Sequence, residues 1–483
     1  MNLGLWFGLA TGCGGAAAPV GAAPEAAERI VLPGPVFGGP PLLGRATVDV
    51  DGPISPLAAR LATRWVGRLP EGMSTCPQPS SGFTVEPLFG PGAPGQLARY
   101  CLYLASIQDP PPLQVIQPPQ GFEIDADLQV LTSQARAGAL TDVMVGPYQD
   151  LFEQQVERFP PSGPAAGPLP RLVLVDTSPT PPPGRAPWEV PGRDVHGYTL
   201  ANMAHNQGCD AAGECAAKIE SRLGLQLIKD ASGRVVPDEL HGGEFGTISY
   251  LASAVFGALS SGGPGGGPVI INLSLGWDPE WGGDLAQRAT WHPGIRAMYD
   301  VLYHAACRGA LVFAAAGNRL GGPPPDDQPL YPAGWEKVEI EAGACLDVSG
   351  VPAAAGVTLD QPIVWAVGGV DEYGNDLALS RKDSRPGLVA FGSHGVTTDG
   401  AGAPTAILTG TSVSTLVASI AAAAVWSNLP SLRPIDVVQT LRDSGVPAGP
   451  VAPYWCPAGC GDAAWIDVCE AVRHACETGP TAG

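Results

Sequence analysis

Positive charge is what this 483-residue chain has least of. Its 26 Lys and Arg stand against 46 Asp and Glu, a formal net charge of -20 with an isoelectric point near 4.6. A chain so short of cations has no electrostatic footprint for a phosphate backbone, which argues against a nucleic-acid binder. Zinc-site spacing is lacking too: none of the eleven cysteines, at 13, 76, 101, 209, 215, 307, 345, 456, 460, 469 and 476, falls with histidines in a zinc pattern. Membrane-length apolar runs are the third absence. The run at 3–10 is too short to span a bilayer. The uncharged stretch 407–426 carries Thr409, Thr411, Ser412, Ser414, Thr415 and Ser419 late in an alternating pattern, and reads as a buried helix of a globular domain. What is plentiful is Gly (65) and Pro (52), about a quarter of the chain, beside 45% apolar residues. Loops are therefore long while a core remains affordable, and global disorder is excluded.

After the apolar run at 3–10, Ala10-Thr11-Gly12-Cys13 is similar to the cleavage and acylation site of a lipoprotein signal, which makes Cys13 a candidate lipidation site. The residues before it contain no Lys or Arg, and an ordinary cleaved signal is the alternative. With Cys13 lipidated, ten cysteines remain, enough for five disulfides. Cys76 and Cys101, Cys209 and Cys215, and the four at 456–476 lie close in sequence, as suits an oxidising compartment. The expectation is an exported protein, either a cell-envelope lipoprotein or secreted, touching a membrane only through such an anchor.

Composition then divides the chain into a signal-like segment (1–13), an Ala/Gly/Pro-rich linker (14–40), an N-terminal region without a motif (41–158), an α/β domain (171–450) and a Cys-rich tail (451–483). A helix is expected over 151–159, before the Pro-rich boundary at 160–164. In the α/β domain, apolar runs at 172–175, 225–228, 269–273, 311–314 and 363–367 read as buried strands. Helical patterns fall at 243–260, 294–308, 411–427 and 434–444, the last with Pro434 in its first turn and Gly445 after its end. Such alternation predicts an α/β fold, a parallel sheet with helices on both faces, plus a smaller N-terminal region. Ligands of such sheets gather beyond the carboxyl ends of the strands, and Asp176, Gly276 and Asn318 all fall there.

Four segments carry chemistry. In Val173-Leu174-Val175-Asp176-Thr177-Ser178 a carboxylate ends an apolar strand, where it can be held rigidly against an imidazole. In Asp194-Val195-His196-Gly197-Tyr198-Thr199 a histidine opens a helical stretch, and imidazole titrates near neutrality as a general base must; His205 is the fallback. Ser274-Leu275-Gly276 and Ala314-Ala315-Ala316-Gly317-Asn318 follow strands, with small residues leaving room for a substrate side chain and an amide able to donate to an oxyanion. In Gly410-Thr411-Ser412-Val413-Ser414 a serine starts a helix whose N-terminal amides favour negative charge.

Together, in the order Asp, His, Ser, these segments resemble the subtilases, the subtilisin-like serine peptidases. The resemblance implies a catalytic Asp176, His196 and Ser412, with Asn318 in the oxyanion hole and Ser274, Leu275 and Gly276 binding the substrate backbone. It also implies a monomeric endopeptidase acting on peptide or protein through an acyl-enzyme, without organic cofactor or catalytic metal. Structural calcium is compatible with the acidic composition, but no loop names its ligands. Ser178, Tyr198 and Leu416 stand where the family has Gly, Thr and Pro. The alternative is a subtilase-fold binding or scaffold protein without turnover. Residues 41–158 read either as a propeptide, which a cut near 160–170 would mark, or as a permanent accessory domain.

Overall fold

The computed structural model describes most residues between Arg64 and His474; the stretches 1–63, 106–119, 137–166, 190–195, 226–244, 261–266, 319–327, 448–463 and 475–483, with shorter gaps elsewhere, lie outside the described residues. Cys13, the 14–40 linker, the helix expected at 151–159, Asp194 and the cysteines at 456, 460, 469 and 476 therefore lie outside them as well.

The chain first forms strands β1 (Arg64–Arg68), β2 (Phe83–Pro87), β3 (Tyr100–Ala105) and β4 (Glu123–Ala126), an antiparallel sheet of order β2-β3-β1-β4. Two short strands follow, β5 (Gln129–Thr132) and β6 (Ala135–Arg136). The α/β part then runs through β7 (Arg171–Asp176), helix α1 (His196–Gly208), β8 (Lys218–Leu223), β9 (Phe245–Thr247), α2 (Ile248–Ser260), β10 (Val269–Leu273), β11 (Leu275–Gly276) and α3 (Pro293–Cys307). Next come β12 (Leu311–Ala315), α4 (Ala344–Ser349), β13 (Trp365–Val370), β14 (Leu388–Phe391), β15 (Gly395–Thr398) and β16 (Pro404–Thr409). It closes with α5 (Thr411–Asn428), α6 (Pro434–Asp443), β17 (Val446–Pro447) and β18 (Ala464–Trp465).

The main sheet has the order β17-β18-β14-β13-β12-β10-β7-β8, parallel from β18 to β8 and antiparallel only at β17. Side chains alternate across it, as strand geometry demands. Val173, Val175, Ile271, Leu273, Val312 and Ala314 face a core shared with α2 and α3. Leu172, Leu174, Ile270, Leu311, Phe313 and Val367 face the opposite core with α1, α5 and α6. Helices thus cover both faces, and the strand ends converge on one edge.

Most of the expected elements are present with ends shifted by a few residues. Of the strand expected at 225–228, residues 226–228 lie outside the described residues; the strand that borders β7 on its outer side is Lys218–Leu223, which the sequence did not flag. It is the edge strand of the sheet, and its alternation of exposed and buried positions gives no continuous apolar run. An ion pair of 2.7 Å between Arg171 and Glu220 ties it to β7. The helix expected from 243 begins only at Ile248, because Phe245–Thr247 pairs as a strand with β5.

The N-terminal sheet packs one face on α2 and α3. Buried Tyr100 donates to Asp300 Oδ2 at 2.6 Å, and Ser253 Oγ to the Leu88 carbonyl at 2.8 Å. The turn leaving β4 then caps both helices. Asp127 accepts from the Ser249 N–H at 3.1 Å and from its hydroxyl while paired to Arg64 at 3.3 Å, and His292, the N-cap of α3, meets the Ala126 carbonyl. Carboxylates at helix N-termini satisfy orphan N–H groups and the dipole together. Disulfides join Cys76 to Cys101, Cys209 to Cys215 and Cys307 to Cys345. Among the described residues no helix is long and apolar enough to cross a membrane, and no cluster of three or more His, Cys, Asp or Glu fits a metal ion.

His304 in α3, only 7% exposed, lies with Nδ1 2.8 Å from Ser349 Oγ, and burial, then Arg308, lowers its pKa from 6.5 to about 4. The folded value lies below the unfolded one, so the unfolded chain binds the extra proton. This contribution to stability is complete above about pH 6.5 and is lost as pH falls toward 4, on the order of 3 kcal/mol at most. Urea midpoints measured from pH 7 to 4 are expected to fall through this window, and to fall less steeply in His304→Asn.

Candidate active site

The end of β7 and the start of α1 meet through two buried side chains. His196 Nδ1 and Asp176 Oδ1 lie 2.8 Å apart, with both side chains essentially inaccessible. A carboxylate only accepts, so the imidazole proton sits on Nδ1 and the lone pair on Nε2. Asp176 Oδ1 also accepts the Thr177 N–H at 2.7 Å, and Thr177 Oγ1 accepts the Gly197 N–H at 2.7 Å, which stitches the strand end to the helix start. Gly197 is required at this junction, since a Cβ there would stand 2.7 Å from the Ser178 nitrogen and 3.0 Å from Asp176 Oδ1. His196 Nε2 is buried with no hydrogen-bond partner among the described residues.

The fallback His205 lies nine residues further along α1, stacked on Trp188 at 4.2 Å, where burial lowers its pKa. That is a packing position. Tyr198 turns outward, its hydroxyl 3.3 Å from the Trp188 carbonyl, while Leu416 is buried within α5. Neither residue touches the Asp176–His196 pair in any bond observed.

Ser412 is the second residue of α5, where a helix supplies no carbonyl to its own N–H groups. Its hydroxyl donates to the Ser274 carbonyl at 3.2 Å, long for an O–H···O bond, and not to His196. Ser274 Oγ in turn is shared between Asn272 Oδ1 at 2.9 Å and the Ser412 carbonyl at 3.0 Å, and Asn272 Nδ2 donates to Ser419 Oγ at 3.1 Å. This network is fully buried and ties β10 to α5. Asn272 was not singled out by sequence, although a polar residue inside Ile270-Ile271-Asn272-Leu273 signals a partner, because a buried amide left unpaired is costly.

Asn318 stands three residues beyond β12. Its Oδ1 accepts the Thr411 N–H at 3.1 Å and the Thr411 hydroxyl at 3.2 Å, which fixes the amide so that Nδ2 faces the turn before Ser412. A Cβ on Gly410 would stand 2.6 Å from that Nδ2, and Gly410 adopts φ +152°. Arg381, which the sequence did not flag, holds the Asn318 carbonyl at 3.4 Å and the Gln328 carbonyl at 3.0 Å while paired to Asp278.

Leu275 and Gly276 form β11, and this strand is occupied. β5 lies between β11 and β9, antiparallel to both, with Thr132 opposite Leu275 and Leu131 opposite Gly276 and Phe245. β6 pairs with β16, the strand that leads into α5, Ala135 opposite Thr409 and Arg136 opposite Leu408. Strands β5 and β6 therefore pair with the strand that follows Ser274 and with the strand that precedes Ser412.

The family model of the subtilases ("Subtilase family") matches residues 201–452, just over half of the chain. The chain belongs to the subtilase family. The match begins after Asp176 and His196 and includes Asn318 and Ser412. Two solved structures are similar at low identity. That of the prenylagaramide maturation protease PagA shares 16% identity at a TM-score of 0.39, over 68% of this chain and 98% of that one. That of the patellamide maturation protease PatA shares 19% at 0.39, over 65% and 98%. No curated protein matches. As a subtilase the chain is a subtilisin-like serine peptidase by family.

Gly410→Ala is expected to displace the Asn318 amide while leaving the sheet intact. The loss in kcat should approach about 10²–10³-fold, the scale that removal of an oxyanion donor has in subtilisin itself. Peptidase rates beside an unchanged circular dichroism spectrum would check it.

Proposed function

We propose that this subtilase is an exported endopeptidase cutting peptide bonds through Asp176, His196 and Ser412. The observation that carries the reading is the buried 2.8 Å contact that leaves His196 Nε2 as the basic nitrogen, with a serine at the start of α5 and an amide fixed beside it. In this reading the Ser412 hydroxyl exchanges the Ser274 carbonyl for the imidazole when it reacts. Ser412 Oγ then attacks the carbonyl carbon as Nε2 takes its proton, and Asp176 stabilises the imidazolium. The Asn318 amide and the Ser412 N–H hold the oxyanion. Collapse expels the amine with the proton returned from Nε2, and water, deprotonated by the same nitrogen, hydrolyses the acyl-enzyme. Three disulfides and the signal-like N-terminus support export.

In the same reading the N-terminal sheet is a propeptide, and β5 and β6 run through the cleft as substrate would. The caps at Asp127 and His292 anchor that strand. This moves the expected cut from 160–170 to the bonds between Thr132 and Ala135.

Purified protein labelled with a fluorophosphonate should react at Ser412, and Ser412→Ala should abolish the labelling. A folded, processed sample that does not label would sink the enzyme reading in favour of a scaffold. N-terminal sequencing of the wild type is expected to start among residues 133–135, whereas Ser412→Ala stays uncut there.

A further inference from the structure

At the edge of the sheet opposite the catalytic residues the structure holds a second cavity. Arg171 opens β7 and Asp176 closes it, so the two edges stand about 16 Å apart by strand rise. The cavity has about 600 Å³, a volume typical of small-molecule sites. Phe256 and Leu259 near the end of α2, Val269 at the start of β10 and Val351 form its apolar walls, and Pro94, from the loop before β3, closes one side. The Cys307–Cys345 disulfide ties α4 to the end of α3 and so keeps Ser349, the last residue of α4, against His304.

The polar side chains of this cavity are cationic or neutral. No Asp or Glu is among the described residues that line it, although the chain carries 46 of them against 26 Lys and Arg. Arg308, one residue past the end of α3, is exposed and makes no ion pair among the described residues. Its charge reaches His304, whose buried imidazole is neutral at pH 7. With the Ser349 hydroxyl as donor to Nδ1, 2.8 Å away, the imidazole proton sits on Nε2, which has no partner among the described residues. Arg171 adds little net charge, since Glu220 accepts from its guanidinium at 2.7 and 3.0 Å and the Ala258 carbonyl at 3.2 Å.

Both α2 and α3 turn their carboxyl ends to this space, and the partial negative charge there disfavours a dianion. One guanidinium fork and one imidazole N–H match a single carboxylate, and the apolar walls match a hydrocarbon body behind it. We propose that this cavity binds a carboxylate with an apolar body, held by Arg308 and His304, the carboxylate belonging to a small organic acid or to the free end of a peptide. None of these residues belongs to the catalytic edge, so the inference stands apart from the peptidase reading.

The test is isothermal titration of the full chain, with Ser412→Ala in place so that Pro94 is retained. Phenylacetate is expected to bind saturably with Kd at or below about 1 mM. Acetate, phenylacetamide and inorganic phosphate should each bind at least about 10-fold more weakly, and Arg308→Gln should weaken phenylacetate by about 10-fold or more, the scale of a hydrogen bond to a charged group. An N-acetylated dipeptide ending in phenylalanine, beside its C-terminal amide, distinguishes the sources. Tighter binding of the peptide acid than of phenylacetate supports the site with a chain end as its ligand, and the reverse order supports it with a small acid. Lack of saturable binding by both acids, binding of acetate, phosphate or phenylacetamide as tight as that of phenylacetate, or an affinity unmoved by Arg308→Gln overturns the proposal.

Discussion

The first turn of α5 is buried completely and contains no charged residue, so its polar groups depend on neighbouring strands for partners. Asn318 meets Thr411 and the Ser274 carbonyl meets the Ser412 hydroxyl, while two turns further along Asn272 meets Ser419. These bonds fix where β10 and β12 end relative to the helix, and so where Ser412, the Asn318 amide and β11 stand with respect to one another. The packing of apolar side chains on both faces holds the sheet together, but it is non-directional. The polar contacts at this buried turn give the site its geometry.

A second set of helix termini does the same for the N-terminal sheet. Asp127 meets Ser249 at the start of α2 and Ala126 meets His292 at the start of α3, and these two turn residues stand only a few positions before β5. Anchoring so close to β5 limits its slippage, since a one-residue shift along β11 would leave the caps unpaired. The register at Thr132 and Leu131 is thereby tied to contacts made outside the cleft. Three glycines mark where backbones approach too closely for a side chain: Gly197 against Asp176, Gly276 against Leu330 and Gly410 against Asn318.

Much of this was legible in the residues. Strands β7, β10 and β12 and helices α3, α5 and α6 show their apolar periodicity openly, because both faces of the sheet are covered: the strands, α3 and α5 are buried along their length and α6 along one face. The edge strand β8 was not, since Lys218, Glu220 and Arg222 break its pattern and its solvated side needs no apolar residue. Strand β14 went unseen as well; four residues carry too little period to stand out. Asn272 and Arg381 were passed over because their partners, Ser419 and Asp278, lie more than a hundred residues away.

The sequence by itself determined the order of the chemical groups and their placement at strand ends and a helix start, because capping, small residues and apolar periodicity act over a few neighbouring residues. Only the tertiary structure decided that the Ser412 hydroxyl rests on the Ser274 carbonyl, that β5 and β6 pair along the cleft, and that Leu330 fills the space between Gly276 and Gly317. Each of these joins segments far apart in the chain. Such contacts follow from register and close packing, which a local pattern does not encode.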